Sequence, residues 1–267
     1  MLKVGILGVG AIGRTLASAI DEKRIDAELV ALADQEREQA EVFAASLPSR
    51  PRVVSVEKLI ECCDLAVEAA SQAALREFVP QALARGRDIM VMSVGGLLGH
   101  DDWFREAAAK GCRIIVPSGA IAGLDGIKSA AMGRIASATL TSRKPVAALE
   151  GSAYVESHGL RLGEMKEETV IFEGSPEEAA RAFPATSNVA ASLRLAAGPE
   201  ARVNVRVVAV PKGTKNVHEI SVEGEFGRLS VNVENVPSKS NPRTSELAAF
   251  SALATLAGLT RSLRVGT

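Results

Sequence analysis

Lys3-Val4-Gly5-Ile6-Leu7-Gly8-Val9-Gly10-Ala11-Ile12-Gly13 stands at the head of the chain. Val4 to Val9 is a short apolar run of the kind a buried parallel strand shows, and a helical pattern follows from Arg14 to Ile20. Gly8, Gly10 and Gly13 have the spacing G-x-G-x-x-G. Gly8 permits a tight turn, Gly10 lets a pyrophosphate approach the backbone, and Gly13 lets helix and strand pack closely. The N–H groups of the turn that holds Ala11 and Ile12 then face the phosphates, aided by the helix dipole. Glycines cluster in many turns, so the spacing alone is a weak signal. It gains weight from a second strand, Glu28 to Ala33, which ends at Asp34 about twenty residues past the last glycine, where a carboxylate accepts from the ribose hydroxyls of a dinucleotide. Arg37 suits a 2′-phosphate that Asp34 would repel, so the pair reads as NAD binding with tolerance of NADP. A solvated helix charge is an equally good reading of Arg37.

Composition narrows the class. The chain has 267 residues, 47% of them hydrophobic, which is ample for a core. A net charge of −1 makes no electrostatic case for nucleic acid or an anionic membrane, and 3% aromatics leave little for base stacking. No apolar run reaches a membrane span. Met1-Leu2-Lys3 leads directly into a strand, so no signal peptide is expected. Cys62, Cys63 and Cys112 show no metal spacing, so no metal site is expected, and they suit a reduced cytoplasmic protein.

The same alternation continues beyond Asp34. The pattern predicts strands at Val53–Val56, Asp64–Ala70, Asp88–Ser93 and Cys112–Val116, separated by helices at Glu36–Ser46, Glu57–Cys62, Leu75–Ala84 and Asp101–Lys110. This is the grammar of a doubly wound parallel sheet, a Rossmann-type α/β domain. The carboxyl ends of its strands line the ligand crevice, where Ala69, Ala70 and Ser71 are small enough to lie beside a cofactor. The texture then changes. A helix is expected at Asp125–Ile135, followed by a strand at Ala138–Ser142, helices at Pro176–Phe183 and Asn188–Ala197, and strands at Arg202–Val210, Asn216–Glu223 and Arg228–Glu234. Strict alternation in the last three predicts a mixed or antiparallel sheet with one face covered, hence a second, α+β domain. An apolar helix, Ser245–Leu259, is expected to return to the first domain. The domains are then 1–119 with 245–267, and 120–244.

A nucleotide domain paired with a second domain of this size suggests hydride transfer to or from a small molecule. Oxidising an alcohol or amine also requires a base, and histidine is the usual one near neutral pH. His100 starts a helix and reads as a surface or capping residue. His158, between Ser157 and Gly159, reads as a loop residue. His218 shares parity with Ile220 and Val222, which puts it on the covered face of a strand, as either a core residue or a base.

At this point the chain resembles the L-aspartate dehydrogenase family along essentially its whole length. The stretches that carry the likeness are Gly8–Gly13, Val67-Glu68-Ala69-Ala70-Ser71, Pro117-Ser118-Gly119-Ala120-Ile121-Ala122-Gly123-Leu124-Asp125, Asn188-Val189-Ala190-Ala191, Asn216-Val217-His218 and Asn241-Pro242-Arg243-Thr244-Ser245. The resemblance implies that His218 is the catalytic histidine and that Ala122 and Asn188 contact the nicotinamide end of the cofactor. It also implies oxidation of L-aspartate through iminoaspartate to oxaloacetate and ammonia, reversible as reductive amination, with the imine available to pyridine-nucleotide synthesis. Arg243 stands where the family's loop carries lysine, which keeps the charge and adds bidentate capacity.

A four-carbon dicarboxylate requires cations. Arg143 and Lys144 lie just after a strand, and Lys212, Lys215, Lys239 and Arg243 near loops flanking the His218 strand. Each alone also reads as a solvated surface charge, and Lys144 and Arg243, with Thr244 beside it, are the expected clamp. Two rivals share the two-domain build. A dihydrodipicolinate-reductase-like enzyme would show paired histidines, which this chain lacks, and a homoserine-dehydrogenase-like enzyme would rely on acid and lysine side chains that find no match here. A non-catalytic NAD-binding sensor would present the same glycines. A sheet able to pair across a two-fold axis suggests a homodimer.

Overall fold

A computed structural model describes residues 1–184, 187–236 and 245–267. The chain divides into two compact units, Met1–Pro117 with Ala248–Arg264, and Ser118–Leu247 with Val265–Thr267.

The first unit runs β1 (Leu2–Leu7), α1 (Ala11–Asp21), β2 (Ala27–Ala33), α2 (Arg37–Ser46), β3 (Arg52–Val53), α3 (Val56–Cys62), β4 (Leu65–Glu68), α4 (Gln72–Ala84), β5 (Asp88–Val91), α5 (Asp101–Lys110) and β6 (Ile114–Ile115). The strands form one sheet in the order β3-β2-β1-β4-β5-β6, every neighbouring pair parallel. The chain moves outward from β1 in one direction and returns to start β4 on its other side, so the topological switch lies between β1 and β4. Val4, Ile6, Ala66 and Val67 are fully buried, as strands covered on both faces must be.

Several boundaries differ from the sequence expectation, each for a local reason. Val56 opens α3 instead of closing a strand, because Ser55 caps that helix by accepting from Lys58 N at 3.4 Å. β4 stops at Glu68, and α4 starts at Gln72 because Ser71 Oγ accepts from Ala74 N at 3.2 Å. β6 keeps only Ile114 and Ile115 of the expected run.

The second unit holds α6 (Leu124–Ala130), β7 (Ile135–Pro145), α7 (Ala153–Ser157), β8 (Thr169–Gly174), α8 (Pro176–Ala182), α9 (Asn188–Ala197), β9 (Arg202–Val210), β10 (Asn216–Gly224) and β11 (Gly227–Asn235). Its sheet has the order β11-β10-β7-β9-β8, with β7 antiparallel to β10 and parallel to β9. The helix expected over Asp125–Ile135 ends at Ala130, and Ile135 already belongs to β7, which runs on to Pro145. Two elements, α7 and β8, lie outside any sequence expectation. Leu140 of β7, Ile220 and Val222 of β10 and Val205 and Val207 of β9 pack with Ile127 of α6, Ala179 of α8 and Leu193 of α9 in one buried core. One face of the sheet is therefore the covered face. Lys128 Nζ donates to the backbone oxygen of Thr267 at 2.7 Å, which ties the last residues to α6 within this unit.

The C-terminal helix α10 (Glu246–Thr260) contributes Ala252 and Leu256, both fully buried, to the core that holds Val4, Ile6 and Leu16. It thus completes the nucleotide-type unit. Among the described residues no helix is long and apolar enough to cross a membrane.

Candidate active site

Each unit contributes its own constellation. In the first, the turn after β1 is held from both sides, by Gly8 N donating to Ala33 O and Ala69 N donating to Leu7 O, each at 2.8 Å. Gly8 has φ +97°, and a Cβ there would lie 2.5 Å from Ala69 O. A Cβ on Gly13 would lie 1.9 Å from Gly8 O, so α1 can leave the strand only from a glycine. Gly10 is different. It is exposed, and a Cβ there would meet nothing within 4 Å. That open backbone precedes Ala11 and Ile12 at the start of α1, where the helix N–H groups and dipole favour a phosphate. Asp34 ends β2 with its carboxylate fixed: Oδ2 accepts from Val9 N at 2.6 Å and Oδ1 from Glu36 N at 2.9 Å. The geometry fits a dinucleotide: an open glycine, a helix start and an anchored acid lie at the carboxyl ends of β1 and β2.

Ala69, Ala70 and Ser71 follow β4 at the same end of the sheet, Ala70 and Ser71 exposed. Beneath them sits Glu68, which the sequence reading did not single out for a role. It is fully buried, and its carboxylate accepts from Ala70 N at 2.8 Å, Ser93 N at 2.9 Å and Ser93 Oγ at 2.7 Å. It ties the loop after β4 to the loop after β5. Burial pushes its carboxyl above the ordinary carboxylate range, and the hydrogen bonds from Ser93 and Ala70 pull it part of the way back.

In the second unit, His218 of β10 is 5% exposed and lies opposite Ser142 of β7. Ser142 Oγ and His218 Nδ1 are 2.9 Å apart. Lys144, two residues further along β7, is 6% exposed on the same covered face. Among the described residues no carboxylate pairs with it, and burial lowers its pKa to about 8. Burial first, and the Lys144 charge second, lower His218 to about 3. The imidazole is therefore neutral at physiological pH. Asn188 opens α9, and Ala122 is exposed in the segment before α6. That segment is pinned by buried Asn235, whose Nδ2 donates to Ala120 O at 2.9 Å.

Two of the other cations are engaged in ion pairs. Arg143 occupies the opposite face of β7, where its Nε donates to Glu168 at 3.0 Å and its Nη1 to Glu219. Lys215 pairs with Glu234 at 2.9 Å. Lys212 is exposed. His100 is half-buried and stacks on Trp103 at 3.7 Å, and exposed His158 stacks on Tyr154 at 3.9 Å. Lys239, Arg243 and Thr244 lie outside the described residues. Ser142 and Glu68 are the site residues that sequence reasoning passed over. The parity of Ser142 with Leu140, and a lone acid inside an apolar strand, were the available signals.

Residues 125–259 match a family model described as aspartate dehydrogenase, C-terminal, and residues 8–117 match one described as homoserine dehydrogenase, NAD binding domain. The L-aspartate dehydrogenase of Methanosarcina mazei is 47% identical over 271 residues, covering all of both chains. That of Methanocella arvoryzae is 46% identical over 270 residues, again covering all of both. The crystal structure of aspartate dehydrogenase from Thermotoga maritima aligns over all of both chains with a TM-score of 0.76 and 27% identity.

Proposed function

This chain belongs to the aspartate dehydrogenase family, and from that premise we propose that it oxidises L-aspartate reversibly to oxaloacetate and ammonia with NAD as the preferred cofactor. The observation that carries the reading is Lys144: a buried cation without a carboxylate partner among the described residues, on the same covered face as the only buried histidine described. Burying an unpaired charge is costly, so a site that keeps one gains strongly from an incoming anion. A dicarboxylate supplies that anion, and Arg243 with Thr244 completes the clamp in this reading.

Gly8, Gly10, Ala11, Ile12 and Gly13 hold the pyrophosphate, Asp34 the adenosine ribose, and Ala69, Ala70, Ser71, Ala122 and Asn188 the nicotinamide half. Held by these residues, a nicotinamide would supply the hydride acceptor for oxidation at Cα of aspartate. His218 accepts the proton released at the substrate nitrogen or the attacking water. A neutral imidazole is ready for that task. A substrate carboxylate on Lys144 cancels the positive charge that helps depress His218, so substrate binding itself raises the basicity of the ring.

NAD is preferred to NADP because the anchored Asp34 carboxylate accepts from a ribose diol and repels a phosphate dianion. Arg37 is already paired with Glu41 at 2.8 Å. Three free cysteines suit a cytoplasmic protein, and a homodimer and a supply of iminoaspartate to pyridine-nucleotide synthesis complete the reading. The test is direct. Purified protein is mixed with L-aspartate and NAD, and separately with oxaloacetate, ammonium and NADH, while the absorbance of the reduced nicotinamide is followed. Turnover in both directions is expected. Tight NAD binding without turnover of either mixture overturns the proposal in favour of a sensor.

A further inference from the structure

Ser142 and His218 are cross-strand partners in the β7–β10 pair, both almost fully buried, with Oγ 2.9 Å from Nδ1. A neutral imidazole has one N–H and one lone pair, and the partner of one nitrogen decides what the other can do. We propose that Ser142 is a positioning residue: its Oγ accepts the Nδ1–H of His218, which leaves the Nε2 lone pair as the ring's basic site. This rests on the reading of His218 as proton acceptor.

The surroundings favour this arrangement. A positive charge on the ring is opposed by burial and by Lys144 on the same face, so the resting ring is neutral and carries a single N–H. The space behind Ser142, bordered by Leu140, Ser187, Val205 and Val207, is about 10 Å³. That is about one water molecule and far too little for a four-carbon dicarboxylate, so substrate does not reach Ser142 from that side. A hydroxyl also differs from the carboxylate that orients many catalytic histidines. It fixes the ring but gives little help to an imidazolium, so a proton taken up at Nε2 is passed on and not stored.

The test reads the ring directly. Nitrogen NMR of histidine-labelled protein, with the His218 signals assigned by loss in His218→Gln, should show a protonated Nδ1 and an unprotonated Nε2 in the wild type. Ser142→Ala should give a mixture of tautomers. Its kcat for aspartate should fall roughly tenfold to a hundredfold, the scale of a misoriented catalytic group, while KM for aspartate and NADH affinity stay within about twofold. Ser142→Thr, which keeps the hydroxyl, should restore most of kcat. A protonated Nε2 in the wild type overturns the proposal whatever the substrate proves to be, and so does an unchanged kcat in Ser142→Ala. An absence of aspartate turnover in the wild type would instead strike the functional reading, and the NMR result would still decide the tautomer.

Discussion

Lys144 and His218 share one covered face of the second unit's sheet and are linked through Ser142, which neighbours Lys144 on β7 and lies opposite His218 on β10. A cation so placed has no structural task that methionine of similar length would not perform as well, because replacing a buried charge by an apolar side chain is often neutral or stabilising. Lys144→Met should therefore fold at least as well as the wild type in urea. Its KM for aspartate should rise about tenfold to a hundredfold, the worth of a charge-assisted contact, with NADH affinity unchanged. An unchanged KM would remove Lys144 from the substrate site.

The same lysine gives stability a pH dependence of known sign. Its unfolded pKa is near 10.5 and its folded value about 8. Below pH 8 both states are charged and the cost of burial is constant. Between 8 and 10.5 the folded chain has shed a proton that the unfolded chain keeps, so stability rises with pH, by about 3 kcal/mol at most. His218 acts in the same direction at lower pH, since its value falls from 6.5 to about 3, and acidification through that window removes stability. Urea titrations at about pH 7.5 and about pH 10 should show the wild type gaining on Lys144→Met as pH rises. A constant gap between the two would mean that Lys144 does not titrate there.

Two glycines of the first turn should respond in opposite ways. Gly13→Ala puts a methyl group on Gly8 O and should cost about 2–4 kcal/mol. Gly10→Ala meets nothing and sits at φ −79°, a conformation alanine adopts freely. Its melting temperature should stay within a few degrees, while calorimetry should show NAD affinity falling at least tenfold, because the added methyl group stands where the pyrophosphate approaches. Normal NAD affinity in Gly10→Ala would show that the phosphates do not pass over that turn.

Legibility in the sequence followed the range of the interactions. The parallel sheet was readable because each strand is an apolar run closed by its own turn residues, and His218 because alternation along one strand assigns a face. What escaped depends on partners distant in the chain. Ser142 is unremarkable until β10 is laid against β7, 76 positions away. Glu68 could be quoted in a motif, but its clasp on the loop after β5 needs the β4–β5 pairing. The helix expected to reach Ile135 failed because the apolar spacing of Ile127 and Ile135 fits either period, and the competing choice was decided by pairing of β7 along its whole length.

Asp34 provides the sharpest test of cofactor choice. Its carboxylate is held by Val9 N and Glu36 N, so it cannot swing aside to admit a 2′-phosphate. Asp34→Asn removes the charge at nearly constant shape. The ratio of kcat/KM for NADP to that for NAD should rise about tenfold or more, chiefly through loss of repulsion and of the diol contact. Arg37 then becomes the residue that greets the phosphate. Its pairing with Glu41 is exposed on both sides and worth at most about 0.5 kcal/mol, so adding Glu41→Ala should improve the ratio only about twofold further. If Asp34→Asn leaves the ratio where it was, discrimination lies elsewhere than at the end of β2.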